Sequence, residues 1–361
     1  MRTGRRLPPA LVALTGVVAL LLVLAGCGGG QRTGKRAPTG TPVASTTGTP
    51  GGSGGANCAN APKPTGHGPL KGIYQFTGAP QVNNPALSGG VVIRYWADIE
   101  PAEGQYNWSS LDAAIAQWTA ACKKVIVRIP FASSNDPTGS PTPQWVYAAG
   151  VPKVVTGNGT VYPVYWNSAF LAKLKDFITA FGARYDGNPN ILYVNAATGN
   201  DGETIVEGKA PGGQQNGDTK LQAWQAMGYS DALWFSTIQQ IWGFYTSAFH
   251  HTPLAVQVDE TFIGGTPGYD TATALSAATS AGLWLQNDGE YPGHRPGEAQ
   301  WYQTTLILEP GQNSKQQGQT LAANLQNMVS LGATYALVFG SDLNDPANQQ
   351  ALATYAAQVS P

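Results

Sequence analysis

Two glutamates close apolar runs in this chain, and their placement suits acid–base chemistry. Glu203 ends the stretch ILYVNAATGNDGE, Ile191 to Glu203, and Glu309 lies in the stretch TTLILEPG, Thr304 to Gly311. Counted along the chain, the two runs are the fourth and seventh β-rich segments. In a closed barrel of parallel strands the C-terminal strand ends gather at one mouth. Two carboxyl groups there, one protonated and one ionised, are what cleavage of a glycosidic bond requires. A separation of about 5–5.5 Å would suit a retaining reaction with a covalent intermediate.

The elements that must position them follow from periodicity. Short apolar runs at Gly72–Phe76, Val91–Tyr95, Lys124–Ile129, Ile191–Asn195, Leu254–Val258, Leu283–Gln286, Thr305–Leu308 and Tyr335–Phe339 read as strands. Several are nearly continuous in apolar residues (VVIRY, KVIVRI, YALVFG), the pattern of strands covered on both faces. Helical spacing is predicted over Trp108–Cys122, Ser168–Tyr185, Lys220–Phe249, Gln316–Leu331 and Pro346–Val359. Eight strands interleaved with helices predict an α/β fold, a single (β/α)8 TIM barrel over residues 67–361. An open doubly wound sheet is disfavoured, because GIYQFTGAP after the first strand lacks a Gly-rich phosphate loop. Three long polar connections, 132–167, 202–219 and 287–299, would all sit at the mouth, where barrel sites are built.

Composition excludes some partners. The chain has 361 residues, a net charge of -1 and only 11% charged residues, so no basic face for nucleic acid is expected. Before residue 67 the chain is not barrel. Arg2, Arg5 and Arg6 precede an apolar run from Leu11 to Leu24 and then Leu24-Ala25-Gly26-Cys27. That pattern resembles a bacterial lipoprotein signal over 1–26, which implies a lipid on Cys27, membrane attachment and an extracytoplasmic domain. An uncleaved membrane anchor is the other reading. Residues 27–66, rich in Gly, Thr, Ser and Pro, read as a flexible tether. In an oxidising compartment the remaining cysteines, Cys58 and Cys122, are expected to pair. No Cys/His spacing suggests a metal, and no cofactor is expected.

The stretch from Val91 to Ile115 carries W-x-x-x-E-P-x-x-G-x-Y-x-W-x-x-L-D, as Trp96, Glu100, Pro101, Gly104, Tyr106, Trp108, Leu111 and Asp112. It resembles the clan A glycoside hydrolases, especially β-galactosidase-like barrels. The stretch from Pro143 to Glu203 continues the likeness through YPVYWNSAFLAKLKDFI and ARYDGNP. The resemblance implies a glycoside hydrolase with its acid/base glutamate after strand four and its nucleophile after strand seven. By strand count these are Glu203 and Glu309. In the family an Asn usually precedes the acid/base glutamate directly; here Gly202 does, with Asn200 earlier. The expected substrate is an oligo- or polysaccharide with a β linkage, and the expected state is a monomer. A barrel that binds glycan without cleaving it is the alternative.

Other residues near predicted strand ends are candidates for the substrate. Gln75, Arg94, Asn195, Asn200 and Asn287 could meet sugar hydroxyls, with Arg94 also a candidate for holding Glu309 ionised. Asp259 and Glu290 are acids after strands five and six, and Glu290 is the rival catalytic acid if the strand count is off by one. Trp96, Trp145 and Trp301 could stack on a pyranose face, although any single Trp defaults to core packing. Glu100, Tyr106 and Trp108 are expected to be structural.

Overall fold

The computed structural model describes residue 58 and residues 66–134, 140–156, 159–208, 219–290, 306–310 and 319–360. The segments read as signal and tether, with Cys27, lie outside these residues except at Cys58. Eight parallel strands close into a barrel: β1 Gly72–Gln75, β2 Gly89–Ile93, β3 Lys124–Arg128, β4 Ile191–Asn195, β5 Leu254–Gln257, β6 Trp284–Glu290, β7 Leu306–Pro310 and β8 Tyr335–Val338. Each strand pairs with its neighbours in the chain, and β8 returns to β1 through the register Gly72 with Tyr335 to Gln75 with Val338.

Alternation along the strands separates two cores. Tyr74, Ile126, Tyr193, Ala255, Tyr335 and Leu337 fill the barrel, with Trp284 stacked on Tyr335 at 5.9 Å between ring centroids. The opposite faces pack against the helices α1 Ser109–Thr119, α2 Ser168–Tyr185, α3 Asp231–Ala248, α4 Thr271–Ser280, α5 Leu321–Ser330 and α6 Gln349–Ala356. α2 shows how local sequence builds such a layer. The Asn167 side chain caps its start by accepting from the Ala169 and Phe170 N–H groups. Phe170, Leu174, Phe177, Ile178 and Phe181 then recur at helical spacing, all buried. Each such burial is worth roughly 1.5–3 kcal/mol, which outweighs the modest β preference of the aromatic and branched side chains.

The elements differ from the sequence expectation in three informative places. β2 begins at Gly89, two residues before the predicted Val91, and ends before Arg94. A Cβ at Gly90 would lie 2.2 Å from the Trp118 ring, so Gly90 is where α1 presses onto the sheet. The predicted helix over Lys220–Phe249 is two helices, Thr219–Gln225 and α3. Gly228 breaks it at φ +88°, and Ser230 restarts it by capping Leu233 N. The connection from 132 to 167 is not plain loop: it holds a short helix, Gln144–Ala148, and an antiparallel ribbon pairing Lys153–Val155 with Val161–Pro163.

The W-x-x-x-E-P-x-x-G pattern folds as a carboxylate clamp. Glu100 accepts from the Trp96 indole at 2.6 Å and from Gly104 N at 2.8 Å, while the Trp145 indole donates to its carbonyl. Burial pushes the Glu100 carboxyl up, and the two N–H donors pull against that. Cys58 and Cys122 form a disulfide, Cα to Cα 5.3 Å, just past the end of α1.

A second carboxylate ties α2 to the entry of β5. Asp186 accepts from the backbone N–H groups of His250, His251 and Thr252 at 2.8–3.0 Å and from His251 Nδ1 at 2.8 Å. Although burial raises it, these hydrogen bonds hold Asp186 far below the ordinary carboxylate range. Its folded-state ionisation lies below that in the unfolded chain, so its contribution is full above about pH 4 and fades as the pH falls further. Asp186→Asn should lower the melting temperature by about 5 °C near neutral pH. Thermal melts of both proteins from pH 7 downward should converge in acid, and a gap that stays constant would contradict the assignment.

Candidate active site

At the C-terminal mouth five of the eight strands end in polar residues, Gln75, Arg128, Asn195, Gln257 and Glu290, and a buried arginine organises several of the groups there. Arg128, the last residue of β3, is 3% exposed. Its Nε donates to Asp201 O at 2.7 Å and its Nη1 to Gln257 Oε1 at 2.8 Å. Its Nη2 lies 3.6 Å from Glu203 Oε1, and its guanidinium stands over the Phe76 ring. A buried cation is tolerated only when its donors are met by acceptors and counter-charge, and here they are.

Glu203 reaches this cation through an ordered excursion of the chain. After Asn195, Ala196 N still donates to Ala255 O of β5; then the chain rises through the 3-10 turn Asn200–Gly202. It comes back so that Glu203 bridges Gln257 as an added parallel rung, with Thr204 N donating to Gln257 O. The turn is pinned at Asp201, which sits at φ +52° and accepts from the hydroxyls of Ser133 and Ser134 and from Asn200 Nδ2. The Glu203 side chain, 16% exposed, accepts from Gln257 Nε2 at 3.0 Å. Both the amide donor and the cation act on the anionic form of the carboxyl.

Gly202 explains the departure from the Asn-Glu pattern. It takes φ +87°, and a Cβ there would lie 2.9 Å from Arg128 Nε and 3.3 Å from Asn195 Oδ1. A side chain at 202 would occupy the space that Arg128 fills.

Glu309 is placed by register. Ile307 of β7 pairs with Gln286 on one side and Tyr335 on the other. Gln286 and Tyr335 are both buried, Tyr335 within the barrel core. Position 309 is two residues further along the same strand, at the mouth end, beside the irregular rung between Asn287 and Glu290. The side chains of Glu290 and Glu309, and all of Trp301, lie outside the described residues, so the expected carboxyl separation does too.

The other predicted site residues divide. Asn195 is at the mouth, 2% exposed, and neither atom of its amide has a hydrogen-bond partner among the described residues. Asn287 is buried midway along β6, and Asp259 is half-buried just past β5, its N–H donating to Thr204 Oγ1. Asn200 is buried within its own turn, accepting from Tyr162 Oη. Four expectations are corrected. Gln75 is consumed in shaping the turn after β1, donating to Thr77 O and Ala79 O and accepting from Gln81 N. Arg94 turns outward and donates to Ile93 O and Ser110 O, since alternation puts it on the same face as Val92 of the outer core. Trp96 is fully buried among Trp145, Phe170 and Phe177, held by the Glu100 clamp. Trp145 packs in the same layer with Lys173 over its ring.

Sequence reasoning passed over Arg128, Gln257, Gln286 and Tyr193. The available signal was a polar residue ending each of the runs KVIVR, LAVQ and WLQ, where an apolar strand side chain is otherwise expected. No cluster of three or more His, Cys, Asp or Glu suited to a metal ion occurs among the described residues.

The chain is a closed (β/α)8 barrel, and its mouth, where barrel sites are built, holds a buried arginine and a carboxyl. Residues 90–200, from β2 to the turn before Glu203, match the family model of the glycoside hydrolase family 42 beta-galactosidases. Among solved structures the chain is similar to the catalytic domain of the beta-amylase from Paenibacillus polymyxa, with a TM-score of 0.57 and 11% identity. That match covers 80% of this chain and 99% of the other, and at that identity it speaks to the fold. No curated protein matches the chain. The fold is thus that of the beta-amylase barrel, and the likeness to the beta-galactosidase family is carried by residues 90–200.

Gly202→Ala should destabilise the protein by about 2–4 kcal/mol, from left-handed strain plus overpacking against Arg128. Denaturant unfolding measures this, and a loss below about 1 kcal/mol would remove Gly202 from the account.

Proposed function

We propose that this protein is a retaining glycoside hydrolase acting on a β-linked glycan, with Glu203 as acid/base and Glu309 as nucleophile. The observation that carries the reading is the delivery of Glu203 to the barrel mouth, where β5 and the Arg128 cation hold its carboxyl. The register of β7 supports the second role, since position 309 follows Ile307 toward the same mouth. The match of residues 90–200 to a beta-galactosidase family supports the substrate class.

In the first step Glu203 gives a proton to the glycosidic oxygen as its bond to the anomeric carbon breaks, and the Glu309 carboxylate bonds to that carbon. In the second, Glu203 takes a proton from water, which displaces Glu309 and frees the sugar. Asn195, with a buried amide and no partner among the described residues, offers a donor and an acceptor to a sugar hydroxyl. Asn287, Asp259, Glu290 and Trp301 complete the candidate binding set. The basic start, the apolar run and Leu24-Ala25-Gly26-Cys27 support a lipid-anchored, extracytoplasmic location.

Glu203→Gln and Glu309→Gln should each cut turnover of 4-nitrophenyl β-glycosides by about 10²–10⁴-fold with the melting temperature kept. Proton NMR of the first-formed sugar should show retained configuration. Full activity in either variant removes that residue from its role. Binding of polysaccharide with no product at high protein concentration would favour a glycan-binding barrel instead.

A further inference from the structure

The surroundings of Glu203 assign its two oxygens different work. Tyr193 Oη donates to Gln286 Oε1 at 3.1 Å, and Gln286 Nε2 donates to Gln257 Oε1 at 3.1 Å. Arg128 Nη1 donates to the same Gln257 oxygen, and Gln257 Nε2 then donates to Glu203 Oε1. The direction of this ladder is forced. Gln257 Oε1 already receives two N–H donors, so turning the amide over would set its NH₂ against both of them. The amide therefore presents its N–H to Glu203 Oε1. A proton on Oε1 would face that N–H and the Arg128 cation.

We propose that Gln257 and Arg128 are positioning residues that hold Glu203 Oε1 as a permanent acceptor, so the proton exchanged in catalysis is carried on Oε2. Protonated Oε2 gives its hydrogen to the leaving oxygen as the glycosidic electron pair departs with that oxygen, and Oε2 takes a hydrogen back from the attacking water. The ladder spans β3, β4, β5 and β6, so it also fixes the side-chain direction of Glu203 with respect to the barrel rather than to its own turn. The charged groups at the mouth ends of neighbouring elements are Arg128 on β3, Asp201 in the same turn, Asp259 and Glu260 past β5, Asp288 and Glu290 on β6 and Glu309 on β7. Asp201 is engaged by Ser133, Ser134 and Asn200, and the Arg128 guanidinium lies 3.6 Å from Glu203 Oε1. The assignment rests on the proposed role of Glu203 for its catalytic meaning, but the ladder itself is tested without activity.

The experiment titrates protein carrying ¹³C-carboxyl glutamate by NMR, with the Glu203 signal identified as the one missing in Glu203→Gln. In Gln257→Met the Glu203 midpoint should rise by about one pH unit, because a donor to the anion is gone. The alkaline limb of the 4-nitrophenyl β-glycoside pH profile should move up with it. Turnover should fall about tenfold while KM changes less than about twofold, a split that mere loosening of the fold would not give. If Gln257→Met does not fold, Gln257→Glu carries the same test. It keeps the acceptor for Arg128 and Gln286 but sets a carboxyl against Oε1, and should raise the midpoint further. An unmoved midpoint in a folded variant overturns the assignment. Full turnover in Glu203→Gln instead overturns the catalytic reading, whatever the titration shows.

Discussion

The guanidinium of Arg128 sits 3% exposed at the end of β3, and its burial is the constraint on which the mouth of the barrel depends. A charge taken out of water must be met by acceptors with good geometry, or it costs several kcal/mol. Groups from distant parts of the chain meet it, among them the Asp201 carbonyl, the Gln257 amide oxygen and the Glu203 carboxyl. Each of these sets a local condition. Asp201 must turn its carbonyl downward, which it does from a left-handed conformation held by two serines. Gly202 must lack a side chain. Glu203 must come back to β5 rather than rise straight from β4.

The same constraint clarifies why a resemblance strong over β2 to β4 weakens at the carboxyl it leads to. The motif from Trp96 to Asp112 is architecture: Glu100 gathers two indoles and a backbone N–H, and Asp112 takes Arg184 and Tyr185 of α2. Such a clamp can be kept while the turn above it changes. The match to the beta-galactosidase family ends at residue 200, within the turn that Arg128 reorganises. The matched stretch therefore covers the wall from β2 to β4, and the ladder of amides at the mouth draws on β5 and β6 beyond it.

Much of the fold was legible in the sequence, and for a definite reason. Strand and helix periodicity report which faces are buried, and that property is local. All eight strand positions and the span of α2 follow from it. The misses are also local in cause. Gly228 and Ser230 split one predicted helix, and β2 starts two residues early because Gly89 is pressed against Lys124 O and Tyr74 and Gly90 against Trp118. The candidate site was legible in part. Glu203 and Asn195 were reached by counting strand ends, and both are at the mouth. Gln75, Arg94, Trp96 and Trp145 were reached by the same rule and are elsewhere, because nearness to a strand end does not say which way a side chain turns.

What the sequence determined by itself is the order of the elements, the layers they bury and the acids that close the fourth and seventh strands. Those are consequences of spacing along the chain. What only the tertiary structure decided is which polar residues meet. Arg128 and Gln257 are 129 positions apart, and Tyr193 and Gln286 are 93 apart. Closure of the barrel brings their strand ends into register, and only there do hydrogen-bond donors and acceptors have to be matched across strands. The ladder that grips Glu203 exists because the barrel closes, and no local pattern in the chain could encode its direction.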